Sequence, residues 1–290
     1  MPILKLFSLL VCMCGLMTGS EFPWMGVALR PAANMYSSPT EDADVVSQAI
    51  YGTTFRILEE KPGWYKVRTP DLYTGWTQET SLILLKDGDP QYASSGSVVE
   101  VTSMFASIYR EPSITKHQPI LTVPFETRLE AAGEEVNQIK WLRVRLPDDR
   151  TGYIQAADVT TAGKKLAIPE MIEVGKRFLG IPYLWGGTSS LGFDCSGFTQ
   201  MLLRRRGILM PRDAQDQADW DRMTVVKEED LKPGDLLFFG SSDKKITHTG
   251  MYIGDGSFIN ATTNQRPMVQ IGNLAEPHWM KLFVAARRPE

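Results

Sequence analysis

Between residues 21 and 162 apolar and polar positions alternate over short runs, as in Trp64-Tyr65-Lys66-Val67-Arg68, and Gly and Pro-Asp break the runs. A period of two over a few residues is that of a strand with one buried face, so this half predicts many short β-strands joined by turns. Near residue 168 the period changes. Behind Pro169, the residues Met171, Ile172, Gly175, Phe178 and Leu179 recur at spacings of three and four before Gly180, which predicts an amphipathic helix. A second helix is predicted over 195–206, with Phe198, Met201 and Leu202 on one face and Gly207 as its stop. Strand-like runs follow at 235–239, 248–253, 257–261 and 281–286. Helices first and antiparallel strands after predict an α+β domain over 168–290.

The strand-rich half repeats itself. Residues 64–82 align without gaps to residues 141–159 at an offset of 77, pairing Trp64 with Trp141, Val67 with Val144, Gly75 with Gly152 and Gln78 with Gln155. Upstream, Tyr36 and Pro39 recur as Tyr109 and Pro112. Two small all-β domains are expected, over 21–88 and 89–162. Their W-x-x-V strand, turn and G-W/Y strand resemble the bacterial SH3-like domain, and Trp64, Trp76 and Trp141, which follow the repeat, are expected in the barrel cores rather than stacked on a ligand.

Composition narrows the classes of function. The chain has 290 residues, and 31 Lys+Arg against 34 Asp+Glu leave a net charge of -3, with Arg204-Arg205-Arg206 as its basic run. That balance excludes a nucleic-acid surface as the main purpose, and the run reads as a solvated helix end, where cations suit the dipole. Residues 1–20 read as a secretory signal peptide: Lys5, an apolar stretch over 6–17, then Thr18, Gly19 and Ser20. An exported protein is expected, in the periplasm or cell envelope, with no stable membrane span after cleavage. Cleavage near Ser20 would leave Cys195 as the one cysteine, and His117, His248 and His278 have no metal-ligand spacing, so neither a metal nor another cofactor is expected.

Cys195 is then an inert buried residue or a nucleophile. Phe193-Asp194-Cys195-Ser196-Gly197 places it in the first turn of the second helix, where free N–H groups and the dipole favour a thiolate. His248 begins a strand and Asn260 lies twelve residues on, across Gly254-Asp255-Gly256. If the strands pair about Gly254 the two side chains face each other, and an amide oxygen can hold the imidazole. Cys, His and an orienting Asn are the parts of a thiol acyl-transfer site.

Pro182-Tyr183-Leu184-Trp185-Gly186-Gly187, Phe193-Asp194-Cys195-Ser196-Gly197-Phe198, Pro211-Arg212-Asp213, Leu231-Lys232-Pro233-Gly234-Asp235 and His248-Thr249-Gly250-Met251-Tyr252-Ile253-Gly254 follow in order. At these spacings residues 168–290 resemble the NlpC family of papain-like cell-wall cysteine peptidases. With two SH3-like domains in front, the chain is most similar to the YkfC-type γ-D-glutamyl-diaminopimelate endopeptidases. The resemblance implies peptidoglycan stem peptides or muropeptides as substrate, with Cys195 as nucleophile, His248 as base and Asn260 at a position most members fill with histidine. It implies Tyr183 as an oxyanion donor, and Trp185, Asp194, Ser196, Asp213 and, from the first barrel, Tyr73 as substrate-binding residues that read a free L-Ala amine. Ala214 stands where relatives often have serine. The loop over 186–192 lacks the Gly-Lys-Ser/Thr of a phosphate loop and reads as a flexible border of the cleft. Two other classes stay open: a catalytically weak or inactive wall-binding protein, and an amidase or transglutaminase on the same scaffold.

Overall fold

A computed structural model describes residues 24–86, 88–133 and 140–290. The expected signal peptide over 1–20 lies outside the described residues.

The repeat in the sequence is a repeat in space. The first unit has strands β1 (Met25–Ala28), β2 (Ala32–Tyr36), β3 (Val45–Ile50), β4 (Thr54–Lys61), β5 (Trp64–Arg68), β6 (Thr74–Gln78) and β7 (Leu82–Leu84). The second has β8 (Val98–Val101), β9 (Phe105–Tyr109), β10 (Leu121–Pro124), β11 (Arg128–Ala131), β12 (Trp141–Arg145), β13 (Thr151–Gln155) and β14 (Val159–Thr161). Their sheet orders correspond strand for strand, β3-β2-β6-β5-β4-β1-β7 and β10-β9-β13-β12-β11-β8-β14, as two SH3-like barrels. Shared contacts explain the shared residues. Tyr36 meets Trp64 edge-on at 5.4 Å, and Tyr109 meets Trp141 at 5.5 Å. Gly75 lies against Met35, and a Cβ on Gly152 would overlap Ile108, so each copy needs glycine where β6 or β13 crosses its neighbour.

The third unit opens with α1 (Ile168–Lys176), started by Pro169 and by Glu170, whose carboxylate accepts from the Ala167 N–H at 2.9 Å. It is shorter than the pattern predicts: Phe178 is buried beyond its end, and Leu179 is exposed. A short hairpin, β15 (Thr188–Ser189) and β16 (Gly192–Phe193), leads into α2 (Cys195–Arg204). After α3 (Ala214–Ala218) come β17 (Met223–Val226), β18 (Leu236–Ser242), β19 (Lys245–Gly254), β20 (Ser257–Thr262), β21 (Met268–Asn273), α4 (Pro277–Leu282) and β22 (Phe283–Pro289). The strands form one antiparallel sheet, β17-β22-β18-β19-β20-β21. β17, β21 and α3 were not anticipated, and Lys281 belongs to α4 rather than to a strand. Phe198, Met201 and Leu202 of α2 pack with Phe238, Met251 and Ile259 on one sheet face, while α4 sets Trp279 on the other with Phe239 and Phe258.

Two expectations need correction. The loop over 186–192 is a wedge between the barrels rather than a flexible border. Thr188 donates to the Gln48 carbonyl of the first barrel at 3.1 Å, and Ser190 donates to the Met104 carbonyl of the second at 2.6 Å while accepting from the Phe125 N–H. Nor is Arg204-Arg205-Arg206 a solvated helix end. Arg204 pairs with Glu126 at 2.7 Å and Arg205 with Glu100, both acids from the second barrel. Phe125 also enters the catalytic unit's core, 5.2 Å from Phe178. Among the described residues no helix is long and apolar enough to cross a membrane.

Candidate active site

The nucleophile position is built by a cap. Asp194 is the N-cap of α2: its Oδ1 accepts from Gly197 N–H at 2.7 Å, and its Oδ2 accepts from Gly186 N–H at 3.0 Å. Arg212, only 2% exposed, donates to both carboxylate oxygens, to Ser196 Oγ at 2.9 Å and to Ser47 Oγ of the first barrel at 3.2 Å. Cys195 therefore sits in a first turn clamped from three directions. Helix-end N–H groups favour a thiolate, and the Thr249 and Ser196 main-chain N–H groups act that way here, but burial and the Asp194 charge outweigh them and push the thiol up to about 12. The expected thiolate is a thiol.

His248 and Asn260 do meet, with Nε2 and Oδ1 2.9 Å apart. They are not opposite each other. An irregularity between Tyr252 and Gly254 shifts the register, Met251 faces Ile259, and by continuation Asn260 faces Gly250. The bond is diagonal, and the backbone beside Asn260 at position 250 has no room for a side chain: a Cβ there would stand 3.0 Å from Asn260 Cβ and 2.8 Å from Phe258. Asn260 also donates from Nδ2 to the Gln270 carbonyl at 3.2 Å, so its oxygen is the atom turned to the ring. That oxygen can only accept, hence Nε2 carries the proton and Nδ1 is left as the base. Trp279 stacks on the imidazole at 5.1 Å and 23°, and burial pulls His248 down to about 4. No hydrogen bond joins Cys195 to His248 among the described residues; the thiol lies by Thr249, the next residue along β19.

Around this centre the remaining residues divide. Tyr183 is coupled electrostatically to Cys195, and burial raises its phenol, which stays protonated as a donor. Trp185 is 67% exposed and free to touch a substrate. Tyr73 reaches across 140 residues of sequence to donate to Asp213 Oδ2 at 3.3 Å, and burial with the Asp213 charge pushes it up to about 12. Burial also raises Asp213. Residues 180–288 match the NlpC/P60 family, and residues 35–82 match the bacterial dipeptidyl-peptidase Sh3 domain. A gamma-D-glutamyl-L-lysine dipeptidyl-peptidase of Bacillus cereus is 34% identical over 257 residues, covering 83% of this chain and 74% of that protein. The chain belongs to the NlpC/P60 family.

A Bacillus subtilis protein of the same name is 28% identical over 270 residues, covering 85% of this chain and 82% of its own. A solved NlpC/P60 family protein from Bacillus cereus aligns with a TM-score of 0.78 at 29% identity, over 91% of this chain and 99% of that one. This NlpC/P60 member is thus a cell-wall peptidase with an SH3-like front. Two residues expected at the substrate have their polar atoms engaged within the protein: the Asp194 carboxylate is shared by Arg212 and two backbone N–H groups, and Ser196 Oγ is held by Arg212. Arg212 and Trp279 were missed as parts of the site. The Pro211-Arg212-Asp213 motif contained the first, but a buried arginine is recognised only when its carboxylate is seen beside it. Nothing local in the sequence signals that Trp279 lies on His248.

Proposed function

We propose that the chain is a cysteine endopeptidase that hydrolyses the bond between γ-D-Glu and diaminopimelate in peptidoglycan stem peptides, preferring those with a free N-terminal L-Ala. The observation that carries this reading is the Tyr73–Asp213 contact, which puts a phenol of the first barrel and a carboxylate of the catalytic unit side by side. A protonated α-amine beside them gains charge-assisted hydrogen bonds, and an acylated amine forfeits them. At the scissile bond, His248 Nδ1 takes the Cys195 proton as sulfur attacks the γ-carbonyl and delivers it to the leaving amine. Water then adds to the thioester, giving its proton to the same nitrogen, and the thiol departs with that proton. The Tyr183 phenol and the Cys195 N–H donate to the oxyanion, a contribution of roughly 3 kcal/mol to the barrier per donor in comparable sites.

The names of the two Bacillus relatives favour a second reading for the third stem residue, L-lysine in place of diaminopimelate. Both tripeptides, free and joined to muramic acid, should be assayed by chromatography. The free forms are expected to be cut at least about tenfold faster in kcat/KM, in keeping with the loss of roughly 1.5–3 kcal/mol of charge-assisted bonding. Equal rates on free and muramyl-linked stems would overturn the amine preference, and the faster of the two free peptides decides the third residue.

A further inference from the structure

The first barrel touches the nucleophile turn through β3, and its contacts converge on one carboxylate. Arg212 is buried, and its guanidinium makes three hydrogen bonds within the catalytic unit, to both oxygens of Asp194 and to Ser196 Oγ. A fourth runs from Nε to Ser47 Oγ of β3 at 3.2 Å, and among the described residues Ser47 is the one partner of that N–H. Two residues earlier on the same strand, Val45 closes on Gly186: a Cβ at Gly186 would stand 2.5 Å from the Val45 carbonyl oxygen. Gly186 in turn donates its N–H to Asp194 Oδ2 at 3.0 Å. Both routes from β3 end on the side chain that caps α2, one residue before Cys195.

The internal repeat separates what a barrel needs from what this contact needs. Met35 pairs with Ser47 across β2 and β3, and Ile108 pairs with Leu121 across β9 and β10, where Met35 and Ile108 each precede the repeated tyrosine. The second copy thus has leucine where the first has serine, and Leu121 packs on its own barrel's core. Ser47 is buried at a strand position that needs no hydroxyl, and among the described residues that hydroxyl meets one side chain, Arg212. A buried cation needs its donors matched, since an unpaired N–H on a charged group is costly away from water. Without the Ser47 oxygen the guanidinium can regain a partner only by moving, and Asp194, bonded to it through both oxygens, moves with it. Asp194 raises the pKa of the Cys195 thiol and Arg212 lowers it, so loosening the pair makes the thiolate harder to form.

We propose that Ser47 is a positioning residue for the nucleophile: acting through Arg212 and Asp194, it fixes the first turn of α2, so that the first barrel holds the Cys195 thiol in place as well as lining the cleft. The inference rests on the reading of Cys195 as the nucleophile of a peptidase and adds to it a residue that touches neither substrate nor thiol.

The test is Ser47→Ala beside Ser47→Thr in the full chain, with two readouts. In cleavage of L-alanyl-γ-D-glutamyl-diaminopimelate, Ser47→Ala should lose at least about fivefold in kcat with KM nearly unchanged, and Ser47→Thr, which keeps the oxygen, should stay within about twofold of the native chain. Alkylation by iodoacetamide, read by mass spectrometry on the peptide that carries Cys195, should slow by a similar factor in Ser47→Ala alone, because the small reagent reports on the thiol and needs no substrate pocket. An unchanged alkylation rate in Ser47→Ala would overturn the positioning role, and so would a loss that Ser47→Thr shares, which would mark crowding in the strand rather than the oxygen. The alkylation arm stands apart from the cleavage reading: a native chain that cuts no stem peptide would refute that reading, while the alkylation rates would still decide the role of Ser47.

Discussion

The resting proton on Cys195 is set by burial rather than by the helix end. With the thiol near 12 and His248 near 4, both groups are neutral across the physiological range, and the imidazole works as a base during attack. A raised thiol pKa means that the thiolate fraction keeps growing with pH, by about tenfold per unit until the pKa is approached. Inactivation by iodoacetamide should therefore climb steadily from pH 6 to 9 with no plateau; a plateau below pH 8 would show a preformed thiolate and imidazolium. Cys195→Ala should abolish turnover. The cysteine, histidine and asparagine were legible because each sits beside a local signal: a cap before Cys195, a strand start at His248, a turn before Asn260. The protonation state was not, because it depends on Arg212, Asp194 and the barrel packed over them.

At the level of elements, β19 and β20 hold the base through a glycine. Gly250 lies against Asn260, which holds His248 at 2.9 Å, and a methyl there must push Asn260 or Phe258 aside. Asn260→Ala should lower kcat by more than about tenfold with KM nearly unchanged, and Gly250→Ala should do the same. Because both act on one bond, the double variant should be no worse than either single one, whereas additive losses would separate the glycine from the dyad. Sequence periodicity located β19 and β20 but not their register, since the turn is centred on Asp255 and Gly256 rather than on Gly254, and an irregularity between Tyr252 and Gly254 shifts the pairing by one residue. The same limit applies to 186–192 and to Arg204-Arg205-Arg206. Their partners lie some 80 to 140 residues away in the barrels, and no periodic pattern connects such positions.

Across the whole molecule the three units are not beads on a string. Phe125 belongs to the second barrel by sequence and to the catalytic core by packing, against Phe178. Truncating such a ring costs about 3–5 kcal/mol. Scanning calorimetry should show the second barrel and the catalytic unit melting together, and Phe125→Ala should lower that transition and split it in two; unchanged melting would mean that the units are energetically independent. The two barrels are joined in the same manner. Tyr51, at the end of β3, is buried among Val99, Ile108, Leu129 and Ile154, in the core of the barrel that follows. During translation the ribosome releases the first barrel before β8 to β14 exist, so its tyrosine is already in position when the second sheet closes around it. A circular permutant that begins at residue 89 and ends at residue 88 would reverse that order of emergence, and its second barrel would have to wait, with an unfilled core, for the last part of the chain to be made.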